Sequence, residues 1–205
     1  MSTLILIRPG LTDFDEQHRI QGTLDLPLNS RGEQQVQEMT AELRNIPLEV
    51  IYTSPCEPAR STAEMIGMQL GVNVKELDGL RNVHQGLWEG LNVDEIRRKH
   101  PKVFKQWQES PATVCAPEGE MLSEAWNRVK EALERPLKKK KDMAIVAPEP
   151  VASLVRCIVL GKTTEGFNPL CDGETRRIWE FLQSNGVAPA DSPNVPPAQA
   201  ASRQN

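Results

Sequence analysis

No run of apolar residues in this 205-residue sequence approaches the length of a membrane-spanning helix. Such a helix needs about 20 consecutive apolar residues, so no transmembrane segment is predicted. The first seven residues have neither a basic lead nor a small-residue cleavage site, and they are not expected to form a signal peptide. These absences favour a cytoplasmic protein.

Basic residues are in the minority. The 24 lysines and arginines face 28 aspartates and glutamates, which leaves a formal net charge of −4. A protein that is drawn to nucleic acid or to an anionic membrane surface usually has an excess of basic charge. Neither is therefore expected as a partner.

Cysteine and histidine are too few and too scattered to form a metal site. The chain has four cysteines without a Cys-x-x-Cys pair, and only three histidines. We expect reduced, mostly buried thiols and no metal, disulfide or cofactor. The residues concerned are Cys56, Cys115, Cys157, Cys171, His18, His84 and His100.

Short apolar runs alternate with amphipathic segments along most of the chain. Residues 4–7, 50–53 and 143–147 are apolar runs with the length of buried strands. The alternation predicts an α/β fold of three layers, α/β/α, in which helices cover both faces of a mainly parallel central sheet. Helices are predicted to begin at the capping pairs Ser30–Glu33 and Ser54–Glu57 and to span residues 93–107 and 122–137, and a late strand is predicted at residues 177–181.

A single domain is predicted for residues 1–183. The whole chain is 39% hydrophobic and 25% charged, a balance that suits one globular core. The composition then changes to serine, asparagine, glycine, alanine and proline, with almost no large apolar residues. Residues 184–205 are therefore expected to form a disordered tail.

Five blocks of the sequence, in order, resemble the histidine phosphatase superfamily, whose fold is that of phosphoglycerate mutase. Residues 8–12, Arg-Pro-Gly-Leu-Thr, are similar to the family's opening Arg-His-Gly-Glu-Thr. The resemblance covers residues 3–182 and implies a phosphoglycerate-mutase-like sheet. The other blocks are residues 52–63, similar to Ser-Ser-Pro-Leu-x-Arg-Ala-x-x-Thr-Ala; residues 80–90, similar to Leu-Arg-Glu-x-x-x-Gly-x-Trp-Glu-Gly; residues 117–120, the Pro-x-Gly-Glu turn; and residues 144–156, with the layout of the second Ser-His-Gly motif.

The resemblance implies a chemistry whose residues are missing here. In the family a phosphoryl group moves onto a histidine nitrogen, and Pro9, whose nitrogen is a non-basic tertiary amide, stands at that position. Pro148 replaces the second histidine, which helps to bind the transferring group, and Pro58 replaces an arginine that clamps phosphate oxygens. Asn82 replaces the glutamate that protonates the leaving oxygen, and an amide cannot supply a proton near neutral pH.

Part of an anion site remains, with Arg8 at its centre. Arg8 either holds phosphate or pairs with Asp15 or Glu149 in the abandoned pocket, because a buried guanidinium needs a partner. The other candidate ligand-binding residues are Thr12, Gln21 and Gly22.

These observations lead to hypotheses from different classes. The first is a pseudoenzyme that lacks the catalytic histidines and binds a small anion or metabolite, or a protein partner. The alternative is a phosphomonoesterase or mutase-like enzyme that uses other groups, for instance His84 or His18, on a phosphorylated small molecule. A third is a structural subunit that forms a homodimer, or dimerises with an intact relative, through a sheet edge or helix contacts.

Overall fold

A five-stranded sheet lies at the centre of the part of the chain that the computed structural model describes, residues 2–109, 114–162 and 178–183. The strand order is β3-β2-β4-β1-β5. The first four strands are parallel to their neighbours, and β5 runs antiparallel to β1. The strands are β1 (Leu4–Ile7), β2 (Val50–Thr53), β3 (Asn73–Glu76), β4 (Met143–Val146) and β5 (Trp179–Gln183).

Helices cover both faces of this sheet, which confirms the predicted three-layer α/β fold. Leu4 and Leu6 of β1 pack with α6 and α7, whereas Ile5 and Ile7 pack with α2 and α3. Because β1, β2 and β4 are buried on both faces, the sequence of each is a continuous apolar run rather than an alternation of apolar and polar residues. The helices are α1 (Asp13–Glu16), α2 (Ser30–Leu43), α3 (Ala59–Leu70), α4 (Val93–Lys99), α5 (Pro101–Glu109), α6 (Leu122–Lys138) and α7 (Val151–Val159).

Two predicted helix starts are wrong. The N-cap of α2 is Asn29, whose side chain accepts from the Gly32 N–H at 2.8 Å, instead of the Ser30–Glu33 pair. Helix α3 begins only at Ala59, after a loop in which the Ser54 hydroxyl accepts from the Cys56 N–H at 3.3 Å. Both errors arise because serine caps turns and helices through the same short-range hydrogen bonds.

Other differences concern segments where local signals are weak. The helix predicted at residues 93–107 is interrupted at His100, because the following proline starts a new helix, α5. Strand β3 was not predicted, since its exposed, polar sequence Asn-Val-Lys-Glu lacks a buried face at this edge of the sheet. The predicted tail, residues 184–205, lies outside the described residues.

A smaller apolar cluster lies under α4 and α5 and contains three aromatic residues. Trp88 contacts Trp107 edge to face at a centroid distance of 5.7 Å, and Phe104 contacts Trp107 at 6.1 Å. Ile20 and Ile96 complete the packing around them. None of the described helices is both long enough and apolar enough to cross a membrane.

We expect Gly32→Ala to destabilise the fold by about 1–3 kcal/mol, the usual cost of overpacking. A Cβ atom at position 32 would lie 2.6 Å from the Leu11 nitrogen and closer still to the Leu11 carbonyl oxygen. Helix propensity alone predicts the opposite sign, since alanine is favoured over glycine by about 1 kcal/mol. Chemical denaturation measures the difference; Gln37→Ala, at an exposed position of the same helix, is the control and should change stability little. A more stable Gly32→Ala variant would contradict the tight contact between α2 and the loop after β1.

Candidate functional site

The loops that follow β1, β2 and β4 start next to one another at the carboxyl ends of these strands. The Ala147 N–H donates to the Ile7 carbonyl at 3.1 Å, and the Ser54 N–H donates to the Val146 carbonyl at 3.1 Å. In parallel sheets of α/β proteins, ligands usually bind at the carboxyl ends of the strands. The three loops therefore define the candidate site.

Arg8 is the main cationic group of this site, and it is paired with two carboxylates. Its Nε donates to Glu149 Oε1 at 2.7 Å, and its Nη2 donates to Glu180 Oε1 at 3.2 Å. The Arg8 side chain is only 11% exposed. Of the two predicted partners, the structure therefore places Glu149 on Arg8.

The predicted partner Asp15 is instead used in a helix cap. Its Oδ2 accepts from the N–H and from the hydroxyl of Thr12, both at 2.7 Å, and its own N–H donates to the Thr12 hydroxyl at 3.3 Å, which completes the capping box of α1. The Thr12 side chain is fully buried in this arrangement. Thr12 thus stabilises the loop after β1 through local bonds.

The two other candidate ligand-binding residues hold neighbouring loops together. The Gln21 side-chain amide donates to the Glu57 carbonyl at 3.2 Å. Gly22, at a φ of +57°, accepts from the Asn82 side-chain amide at 2.8 Å through its carbonyl. Gln21 and Gly22 therefore connect the loop at residues 20–25 to the loops that carry Pro58 and Asn82.

Three prolines stand at positions that the family resemblance assigns to catalytic residues. Pro9 and Pro148 follow the central strands β1 and β4, and Pro58 directly precedes α3. Pro9 is half-buried after β1, and the N–H of the next residue, Gly10, donates to the Thr62 hydroxyl at 3.2 Å. Pro58 and Pro148 are buried, and their carbonyls accept backbone N–H groups at the starts of α3 and α7, at 3.1 and 2.8 Å. A proline ring offers neither a donor nor a basic nitrogen to a ligand.

Asn82 is buried and engaged at both ends of its amide. Its Nδ2 donates to Gly22, and its Oδ1 accepts from the Val83 N–H at 2.9 Å. The side-chain amide thus forms hydrogen bonds with the backbone of its own loop and of the loop that contains Gly22, as buried polar groups generally do. It supplies no titratable proton.

Cys56 lies in the loop after β2 as a protonated thiol. Burial raises the pKa of the Cys56 thiol, although the Arg81 guanidinium, 3.4 Å from the sulfur, acts in the opposite direction. A thiol with a raised pKa is a poor nucleophile at neutral pH. The thiols of Cys115 and Cys157 are half-buried, and burial raises the pKa of each in the same way.

Glu57, beside Pro58, is held as a carboxylate. Burial raises its pKa, but hydrogen bonds from Ser61 and Arg60 outweigh burial, so that the pKa of Glu57 lies below its ordinary value. A carboxylate with a lowered pKa does not donate a proton near pH 7. Glu57 thus does not provide the proton donor that the family resemblance implies at position 82.

His84 and His18 were the candidate substitute nucleophiles. The His84 side chain is 49% exposed, and its Nε2 lies 3.9 Å from Glu89 Oε1, beyond hydrogen-bond distance. Glu89 Oε1 already accepts from the N–H and hydroxyl of Thr23, at 2.8 and 3.0 Å. The His18 residue is exposed at the end of α1. No strong base therefore orients either imidazole among the described residues.

Sequence reasoning missed the residue that organises the loop around Asn82. Arg128 of α6 forms a two-point pair with Glu120, with Nε–Oε1 at 2.6 Å and Nη2–Oε2 at 2.8 Å. It also donates to the carbonyls of Gly79, Arg81 and Asn82 at 2.8, 2.7 and 3.1 Å. The one sequence feature that points to this pair is the Pro-x-Gly-Glu turn, because it contains Glu120.

Sequence reasoning also missed Glu180 and Arg156. Glu180 stands opposite Leu6 in the β1–β5 pairing, which brings it to Arg8, and its Oε2 lies 3.2 Å from Arg156 Nε. No local pattern connects residues 172 positions apart in the chain. Within the described residues, no cluster of three His, Cys, Asp or Glu side chains is arranged to hold a metal ion.

The chain belongs to the histidine phosphatase superfamily. The family model described as histidine phosphatase superfamily (branch 1) matches residues 4–175. Phosphoserine phosphatase 1 of Hydrogenobacter thermophilus is 32% identical over 190 residues, which cover 91% of this chain and 90% of the relative. The predicted family and fold are thereby confirmed.

Two further similarities agree with this assignment. A probable phosphoglycerate mutase of Escherichia coli O1:K1 is 31% identical over 134 residues, which cover 65% of this chain and 62% of the relative. The solved structure of a mycobacterial glucosyl-3-phosphoglycerate phosphatase with VO3 superposes with a TM-score of 0.79 at 23% identity, covering 88% and 90% of the two chains. At 23% identity, the similarity to the mycobacterial structure supports the fold alone.

Proposed function

We propose that this chain is a non-catalytic member of its superfamily, which acts by binding. The observation that carries the proposal is the presence of Pro9 and Pro148 at the ends of the adjacent strands β1 and β4. According to the family resemblance, imidazoles stand at both positions in active members. A tertiary amide cannot accept a phosphoryl group, because its lone pair is delocalised into the carbonyl.

The surrounding residues support this proposal, since none of them supplies the missing chemistry. Cys56 is a protonated thiol and Glu57 is an ionised carboxylate, so neither matches the nucleophile or the acid that is needed. Loss of a single transition-state donor typically costs about 10²–10³ in kcat. The nucleophile, the acid and two phosphate clamps are all absent from the four family positions, and the family's own route is closed without them.

The binding partner is, in this proposal, a protein rather than a phosphorylated metabolite. Arg8, Thr12, Gln21 and Gly22, the residues retained for an anion site, all have intramolecular partners. A ligand would have to displace those partners first, which lowers its affinity. A different protein or a second copy of this chain fits the proposal equally.

A second candidate function is favoured by the relatives' names. The relatives are named phosphoserine phosphatase and probable phosphoglycerate mutase, which supports an active phosphomonoesterase over a pseudoenzyme. In this chain such an enzyme would use other groups, for instance His84, whose side chain is 49% exposed, or His18. The two candidates differ in one measurable property, the turnover of a phosphate ester.

We expect hydrolysis of p-nitrophenyl phosphate by the purified chain to equal the rate in buffer, because no described group of the site can act as nucleophile. Incubation with a radiolabelled phosphate ester should leave the protein unlabelled. The matched comparison is His84→Ala. Turnover by the unaltered chain that disappears in this variant would establish the enzymatic candidate and refute the non-catalytic one.

A further inference from the structure

The carboxylate of Glu149 accepts hydrogen bonds from three groups that converge at the end of β4. Its Oε1 accepts from Arg8 Nε at 2.7 Å. Its Oε2 accepts from the backbone N–H and the hydroxyl of Ser153, in the first turn of α7, at 3.2 and 2.7 Å. Both oxygens are therefore engaged, and the side chain is 28% exposed.

These donors have the chemistry of an oxyanion site. A guanidinium, a backbone N–H in the first turn of a nine-residue helix and a hydroxyl are groups that bind phosphate in proteins. Here the anion that they bind is a side chain of the same chain. The carboxylate thus takes the donors that an external oxyanion would need.

We propose that Glu149 is a built-in anion that occupies this site and excludes phosphate from it. The inference deepens the proposed function and rests on it, since it explains why a domain of phosphatase fold would not bind phosphorylated molecules at Arg8. Loss of the Glu149 carboxylate converts the donors into an open site for a tetrahedral oxyanion.

The charges around the site support the exclusion. Glu180 binds the second arm of Arg8 and also pairs with Arg156, at 3.2 Å in both cases. Among the described residues of this cluster, two arginines thus face two glutamates, and the formal charges of these four side chains balance. A phosphate ion brings up to two negative charges, and it would have to displace Glu149 and then face Glu180.

The test is isothermal titration of the full chain with inorganic phosphate. The unaltered chain is expected to give no saturable heat at millimolar phosphate. Glu149→Ala should give saturable heat, with an affinity at least about tenfold above the detection limit that the unaltered chain fails to reach, since one charge-assisted contact that is no longer satisfied internally corresponds to about tenfold to a hundredfold.

The matched control is Glu38→Ala. This variant removes one negative charge from an exposed position of α2, where the carboxylate accepts from the uncharged Gln34 side-chain amide at 2.8 Å. It should bind phosphate no better than the unaltered chain, because a general change of charge does not open the Arg8 site. Equal gains in both variants would overturn the inference, and so would a Glu149→Ala variant that gains nothing.

A second measurement does not depend on how the variants fold. In the unaltered chain, the nuclear magnetic resonance signal of Arg8 Nε–H should not move when phosphate is added. A saturable shift would overturn the inference and the choice of a protein as the partner, yet leave the proposal of a non-catalytic chain standing if no phosphate ester is turned over. Turnover or a labelled protein would refute the proposed function itself.

Discussion

Phosphate release from p-nitrophenyl phosphate is expected to rise by about a hundredfold or more over the unaltered chain when five family residues are restored together. The multiple variant carries Pro9→His, Pro58→Arg, Asn82→Glu, Pro148→His and Glu149→Gly. The imidazole at position 9 supplies the nucleophile, and the glutamate at position 82 supplies the acid. The restored arginine and second imidazole bind the transferring group as its charge grows.

The fifth change is required by the contacts of Arg8. As long as Glu149 accepts from Arg8 Nε at 2.7 Å, the guanidinium is not available to a substrate. Glycine is also the residue that follows the second histidine in the family motif. The four other changes without Glu149→Gly should therefore give a much smaller increase.

The decisive control is the same multiple variant with Pro9 kept. It retains every restored clamp and the acid but lacks the nucleophile, so it should form no phosphoenzyme. Labelling with a radioactive phosphate ester, followed by acid treatment, distinguishes a phosphohistidine from phosphoserine. If the variant with all five substitutions folds but stays unlabelled, these positions alone do not account for the proposed lack of activity.

Arg128→Ala is expected to lower the free energy of unfolding by about 1.5–3 kcal/mol, the range for the loss of hydrogen bonds to a charged group, because the pair with Glu120 is only partly buried. The change leaves the Glu120 carboxylate, which is 19% exposed, without its two-point partner. It also leaves the carbonyls of Gly79, Arg81 and Asn82 without the donors that now order their loop. Urea denaturation followed by circular dichroism measures the loss.

Arg135→Ala is the matched control for Arg128→Ala. Arg135 lies on the same helix, α6, but its side chain is exposed. Loss of an exposed charge usually changes stability by less than about 1 kcal/mol. If the two variants were equally stable, Arg128 would not be the residue that orders the loop around Asn82.

The parts of the fold that the sequence predicted are those with strong local signals. Residues 4–7, 50–53 and 143–146 are buried on both faces, and their apolar runs were recognised without knowledge of their neighbours. Strand β3 was missed because an exposed edge strand has no such run. The start of α3 was misplaced because Ser54 makes the same kind of bond in a turn as it makes in a cap.

In the candidate site, too, residues with a local sequence signal were predictable and their long-range contacts were not. The family blocks located Pro9, Pro58, Asn82 and Pro148, since each stands inside a short motif with fixed spacing. The partners of these residues were not predictable. The side chains of Asn82 and Gln21 bond to backbone carbonyls of other loops, at Gly22 and Glu57. The positions of such carbonyls depend on loop conformation rather than on residue type.

The sequence by itself determined which atoms are present at the ends of the strands. That Pro9 has no basic nitrogen and that Asn82 has no acidic proton follows from covalent chemistry, whatever the fold. Only the tertiary structure decided that Glu149 and Glu180 occupy Arg8, because those contacts join residues 141 and 172 positions apart. They depend on β4 lying beside β1 and on β5 pairing antiparallel to it, and hydrogen bonds act only over about 3 Å.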